Sequence, residues 1–129
     1  MSQSSISVVT GGAGFIGSHL VEALLREGKR VRIVDDLSTG RRALVAPGAE
    51  FLEGDVNTVA ADAVRGADVV YHLAALPSVP RSVEKPLESH RATAEGTLAI
   101  LRAAEQAGVR RVVYASSSSV YGDTPTLPK

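Results

Sequence analysis

The 129-residue chain has no cysteine and no tryptophan, and phenylalanine, tyrosine and tryptophan together make up only 4% of it. Without cysteine there are no disulfides and no thiolate metal sites, and the composition fits the expectation of a cytoplasmic protein. Excess charge is absent too: 14 basic residues balance 14 acidic ones. A neutral balance gives no electrostatic reason to expect nucleic acid or a membrane surface as partner. No apolar run approaches the roughly 20 residues of a membrane span, and no basic segment followed by an apolar stretch suggests a signal peptide. No His, Asp or Glu cluster has metal-ligand spacing, so no metal is expected.

What is present is an ordinary globular composition, 44% hydrophobic and 22% charged, at a length that suits one domain. Strand and helix signals alternate along it. The run Ile6–Thr10 is β-branched and apolar, and helical spacing of Ile16, Leu20, Ala23 and Leu24 comes next, up to Gly28. Further strands are expected at residues 31–34, 51–52, 68–73 and 109–115, the first of these a short apolar run suited to a sheet covered on both faces. A weak helix is expected at 59–64, a Pro-containing loop around Pro77 and Pro80, and a long Ala/Leu-rich helix at 87–107, stopped by Gly108. Strands separated by helices imply right-handed crossovers and a parallel sheet, hence a doubly wound α/β fold of Rossmann type.

The glycines between the first strand and helix carry the chemistry. Gly12, Gly14 and Gly17 fit the G-x-G-x-x-G fingerprint, and Gly11, Gly14 and Gly17 fit a G-x-x-G-x-x-G version. Such a turn lets backbone N–H groups approach a pyrophosphate, which the helix N-terminus then attracts. A second requirement is an acidic residue at the end of the next strand, about 20 residues on, and Asp35 meets it. A carboxylate there accepts hydrogen bonds from ribose hydroxyls and repels a 2′-phosphate, which favours NAD over NADP; Arg41 and Arg42 lie close enough in sequence to work against that preference. The bland alternative is that Asp35 and Asp36 merely cap a loop. No Gly-Lys-Ser/Thr comes after the glycines, so a Walker A loop is excluded.

Four segments in register, Thr10-Gly-Gly-Ala-Gly-Phe-Ile-Gly-Ser-His19, Asp35-Asp-Leu-Ser-Thr-Gly40, His72-Leu-Ala-Ala75 and Tyr114-Ala-Ser-Ser-Ser-Ser-Val-Tyr-Gly-Asp123, resemble the extended short-chain dehydrogenase/reductases. The branch they resemble most is the NAD-dependent nucleotide-sugar epimerases of the UDP-glucose 4-epimerase type. That resemblance covers essentially the whole chain, and it implies specific roles. Gly11, Gly14, Phe15, Ile16 and Gly17 would form the pyrophosphate cradle, and Asp35 would hold the adenosine ribose. Asp36, Leu37, Ser38, Thr39 and Gly40 would form the loop beside the adenosine, and Asp55 and Val56 would border the adenine. Leu73, Ala74 and Ala75 would line the path to the nicotinamide ribose, with Ser116 beside the nicotinamide. Ser117 would be the catalytic hydroxyl on the sugar oxygen. Against these roles stand bland readings: residues 116–119 as a polar loop ending a strand, His72 as a satisfied buried histidine, His90 as a solvated helix residue, and His19 as a residue ordering the glycine turn.

Two departures from the family pattern are visible. The family's proton carrier is the Tyr of a Tyr-x-x-x-Lys motif, yet Tyr114 and Tyr121 are followed four residues later by Ser118 and Pro125, and Lys129 comes before any such motif. Thr93 stands where the epimerases place the Asn of Asn-x-x-Gly-Thr. The expectation is therefore an NAD-binding N-terminal portion spanning 1–129, with the last strand and the C-terminal sugar-binding domain absent. This portion is expected to be inactive alone, while its longer parent would act on a nucleotide-sugar, with a possible homodimer using the 87–107 helix. Competing readings are a dehydratase, a decarboxylating or reducing relative, and a non-catalytic NAD-binding module. Ser117, Ser118 and Ser119 lack the acid pair that the dehydratases carry before Val-Tyr-Gly.

Overall fold

The computed structural model describes residues 5–76, 78–123 and 125–126. Its centre is a five-stranded parallel sheet in the order β3-β2-β1-β4-β5. The strands are β1 (Ile6–Thr10), β2 (Arg30–Asp35), β3 (Glu50–Glu53), β4 (Ala67–His72) and β5 (Arg111–Tyr114). All four pairings are parallel, with Val9 opposite both Ile33 and Tyr71, and His72 opposite Tyr114. This is the expected doubly wound arrangement, and β5 forms one edge of the sheet among the described residues.

Side-chain alternation along the strands builds two cores, one on each face. Val8, Val34 and Val70 turn toward α2 (Val56–Ala63) and the last helix, where they meet Ala60, Ala63 and Ile100. Their neighbours Val9, Val31 and Ile33 turn the other way, toward Val21 and Leu24 of α1 (Phe15–Arg26). Each central strand is therefore buried on both faces, which is why β1 and β2 read as near-continuous apolar runs.

Several boundaries differ from their expected places. The weak helix begins earlier, at Val56, because Asp55 caps it by accepting from the Asn57 N–H at 2.9 Å. The stretch read as a Pro-containing loop holds a six-residue helix, α3 (Val79–Glu84). Ser78 caps it and Pro80 sits in its first turn, where a missing N–H costs nothing; Pro77 lies outside the described residues. The long helix keeps its expected ends, starting at Pro86, where the sequence lets a helix begin, and running to Ala107, but it is not one regular helix. It comprises α4 (Pro86–His90), a π-turn (Arg91–Glu95) and α5 (Gly96–Ala107), ending at a left-handed Gly108. Gly96 lets this helix lie against α2, since a Cβ there would stand 3.0 Å from Val56 Cγ2.

Candidate cofactor site

A cavity of about 700 Å³ opens at the C-terminal ends of the strands, around the point between β1 and β4 where the strand order reverses. Open α/β sheets bind ligands at that switch point, and the volume falls within the roughly 300–1,000 Å³ of small-molecule sites.

The glycine turn forms its floor. Gly11 has φ +72°, a conformation that disfavours any side chain, and a Cβ on it would sit 3.0 Å from the Leu73–Ala74 peptide. A Cβ on Gly17 would collide with the Gly11 carbonyl oxygen, so the first turn of α1 can close on the loop only with glycine there. Gly12 fits against the sheet on the other side, where a Cβ would come within 2.7 Å of Ile33 Cγ2. No side chain caps α1 at its N-cap, Gly14, and no acidic residue stands in its first turn. Its leading N–H groups and the positive end of its dipole therefore face the cavity, a donor set that matches a pyrophosphate. The chain fits a dinucleotide at this point on geometry alone.

Asp35 ends β2 buried, at 8% exposure, and its two oxygens tie the site together. Oδ2 accepts from the Ala13 N–H of the glycine turn at 3.0 Å, and Oδ1 accepts from the Leu37 N–H at 2.8 Å. A carboxylate has about four acceptor positions, so two remain for ribose hydroxyls. The loop after Asp35 folds back on the glycine turn: the Arg41 N–H donates to the Ala13 carbonyl, and a Cβ on Gly40 would lie 3.0 Å from Asp35 Oδ2. Of the two arginines that bear on cofactor choice, Arg42 is engaged elsewhere, by Glu53 at 2.6 Å and by the ring of Phe51. Neither Arg41 nor Arg42 is on the cavity wall.

The opposite wall is formed by β4 and the segment after it. Thr10, fully buried, accepts from both the Leu73 and Ala74 N–H groups, so its own hydroxyl proton goes to His72 Nδ1 at 2.7 Å. That assigns the His72 proton to Nε2, which donates to Thr97 Oγ1, while the Thr97 hydroxyl donates to the Thr93 carbonyl of the π-turn. Burial holds the His72 imidazole below its ordinary pKa. The chain of bonds fixes the Leu73–Ala74 backbone against the glycine turn; His72 is thus a satisfied buried histidine that also lines the cavity.

At the β3 end, Asp55 Oδ1 accepts from the backbone and side-chain nitrogens of Asn57, and Oδ2 accepts from Arg91 Nη2 at 3.1 Å. Burial by itself would raise the Asp55 carboxyl. The Asn57 hydrogen bonds and the Arg91 charge outweigh it and hold the group below the usual carboxylate range.

The sequence-based site residues converge here with two exceptions. Gly11, Gly14, Phe15, Ile16, Gly17, Asp35, Asp36, Ser38, Thr39, Gly40, Asp55, Val56, Leu73, Ala74, Ala75 and Ser116 all line the cavity. Leu37 does not; it makes the bend after Asp35 with φ +62° and contributes its N–H to the Asp35 carboxylate. Ser117 does not line it either, and its Oγ caps a short 3₁₀ turn (Ser118–Tyr121) by accepting from the Ser119 N–H at 3.0 Å. His19 packs on Phe15 and bonds its carbonyl within α1, not the glycine turn, and His90 is exposed. Sequence reasoning missed Glu88, Arg91 and Ala92 on the wall, all on a helix whose π-turn has no composition signal. Among the described residues, no group of three or more His, Asp or Glu is placed to hold a metal, and no helix is long and apolar enough to cross a membrane.

Comparison with known proteins agrees with this geometry. A UDP-glucose 4-epimerase from Lactobacillus helveticus is 40% identical over 125 residues, which cover 94% of this chain and 38% of that protein. The crystal structure of a UDP-galactose 4-epimerase superposes with a TM-score of 0.85 at 46% identity, covering 95% of this chain and 41% of the other. The UDP-glucose 4-epimerase of Brucella ovis, solved in complex with NAD, gives a TM-score of 0.88 at 34% identity, covering 96% and 39%. The chain thus spans about two fifths of the length of these relatives. The model of the NAD-dependent epimerase/dehydratase family matches residues 7–129, and the chain belongs to that family.

Proposed function

We propose that this chain binds NAD and is the cofactor half of a nucleotide-sugar 4-epimerase. One observation carries the reading: the uncapped N-terminus of α1, the glycine turn and the Asp35 carboxylate meet on a single cavity wall, joined through the Ala13 N–H. In this reading the α1 amides hold the pyrophosphate and the free acceptor positions of Asp35 take the adenosine ribose hydroxyls. Asp35 is also the reason for NAD over NADP, since a 2′-phosphate would be brought against a buried carboxylate, and neither Arg41 nor Arg42 is on the wall to receive it.

The other end of the cavity, at Ala75 and Ser116, takes the nicotinamide ribose and ring. NAD bound there would supply reversible hydride transfer at C4 of the sugar, so that the sugar passes through a keto form and is reduced again with no net redox change. Ser117 lies one residue beyond the wall. Its Oγ accepts from Ser119, which leaves its own proton free to donate to the oxygen on the sugar. A serine is not by itself a general base. Within the chain Tyr114 and Tyr121 stand in no Tyr-x-x-x-Lys sequence, so proton transfer to and from the sugar oxygen needs a group from further along a longer protein.

The test is a coupled assay of UDP-galactose conversion with the purified 129-residue chain, with and without added NAD. No turnover is expected from this chain, and turnover is expected from a longer protein that carries a Tyr-x-x-x-Lys segment after it. Measurable epimerisation by the 129 residues alone would overturn the assignment of roles.

A further inference from the structure

The cavity wall carries several carboxylates (Asp35, Asp36, Asp55 and Glu88) but a single Arg or Lys side chain among the described residues, Arg91. For a cavity read as holding an anionic dinucleotide, the position of that one cation is informative.

Arg91 opens the π-turn, and residues at the start of α2 fix both its ends. The Asn57 side-chain amide donates to the Arg91 carbonyl at 2.8 Å, and the Arg91 guanidinium donates to Asp55 Oδ2 at 3.1 Å. Its contact with Glu95 is longer, at 3.9 Å. About half of the side chain is exposed, and Arg91 is among the residues that line the cavity. π-turns inside α-helices are uncommon and concentrate at functional sites.

The location of this cation is explained by the rest of the wall. The α1 N-terminus sits in the middle of the cavity and is the place for phosphates. Asp35, at the end of β2, is the place for the adenosine ribose. The base attached to that ribose extends onward, past β2 toward β3 and α2. Gly54 is tied to Asp35 by a 3.0 Å backbone bond, and Asp55 is the next residue, so the Asp55–Arg91 pair stands where the base must lie.

We propose that Arg91 is a purine clamp, a specificity-determining residue whose planar guanidinium covers the base beside Asp55, the residue that the family resemblance already places at the adenine amino group. The inference rests on the dinucleotide reading above. Oδ1 of Asp55 is occupied by Asn57 and one position of Oδ2 by Arg91, which leaves a position on Oδ2 for an N–H donor such as the adenine amino group. A guanidinium lies flat on an aromatic ring in a way an ammonium does not.

The experiment is isothermal titration of NAD, AMP and nicotinamide mononucleotide into the 129-residue chain and its Arg91→Lys and Arg91→Ala variants, with thermal unfolding of each unliganded protein as a control. AMP and the nicotinamide mononucleotide both carry a phosphate, so loss of a mere point charge would weaken both. The clamp predicts that AMP and NAD each lose about three- to thirty-fold in affinity in both variants while the nicotinamide mononucleotide is unchanged. Full recovery in Arg91→Lys, equal losses for the two mononucleotides, or unchanged AMP binding would each overturn it. Absence of NAD binding by the unsubstituted chain would instead remove the dinucleotide reading, and the clamp with it.

Discussion

At the scale of single residues, the site depends on polar groups with every bond assigned. Asp35 holds the glycine turn through Ala13 and the following loop through Leu37, so it has a structural duty besides ribose recognition. Asp35→Asn replaces one acceptor with an amide donor that faces a backbone N–H. We expect a loss of about 1–3 kcal/mol in urea unfolding, together with weaker NAD binding and a narrower preference over NADP in titrations of both. His72 gives a pH signature. Its folded-state pKa is depressed by burial, so between that value and about 6.5 the unfolded chain binds a proton that the native chain does not. Its contribution is complete above pH 6.5 and is lost as pH falls below it. Protonation would also put an N–H against Thr10, whose oxygen already accepts two backbone donors. Unfolding free energies measured from pH 7.5 to 5 should decline, and His72→Gln should flatten that decline even if it lowers stability throughout. An unchanged slope in the variant would show that His72 is not the group responsible.

At the scale of elements, Arg32 shows how far a residue that reads as an interruption can be a fastener. It stands in the middle of the apolar second strand and is buried, yet its Nη1 donates to the carbonyls of Ala63 and Arg65 at 2.8 Å each, and Nε donates to Glu50 at 2.7 Å. It thereby caps the C-terminal end of α2, where a cation also meets the negative end of the helix dipole. Arg32→Met should keep the packing of the stem and lose the donors, a cost of about 1.5–3 kcal/mol in chemical denaturation. What was legible in the sequence, and what was not, divides along the same lines. The glycine turn, Asp35 and the alternation of strands and helices were readable because local backbone needs and apolar runs impose them. The α3 helix was hidden because Pro80 reads as a breaker, although the first turn of a helix accepts it once Ser78 supplies the cap. The π-turn and the Asp55–Arg91 pair were hidden because they depend on α2 and the long helix meeting across residues far apart in the chain.

At the scale of the molecule, the sheet places its ligand chemistry at one end and leaves one edge open. The pairing of β4 with β5 is the last in the sheet among the described residues, and Val113 and Tyr114 on β5 are exposed. This fits a chain that spans about two fifths of its relatives, in which we propose that further elements cover that edge and bring the sugar site to Ser117. Of β5 only Val112 packs against either core, and the cofactor cavity is lined mainly by the segments that follow β1, β2, β3 and β4 and by the long helix. That these 129 residues bind NAD is therefore the central claim, and the direct measurement is calorimetric titration of the purified chain with NAD and, separately, NADP. Saturable binding of one NAD per chain, with NADP clearly weaker, is the predicted result. No heat of binding with NAD, or tighter binding of NADP, would contradict the roles given to the glycine turn and to Asp35.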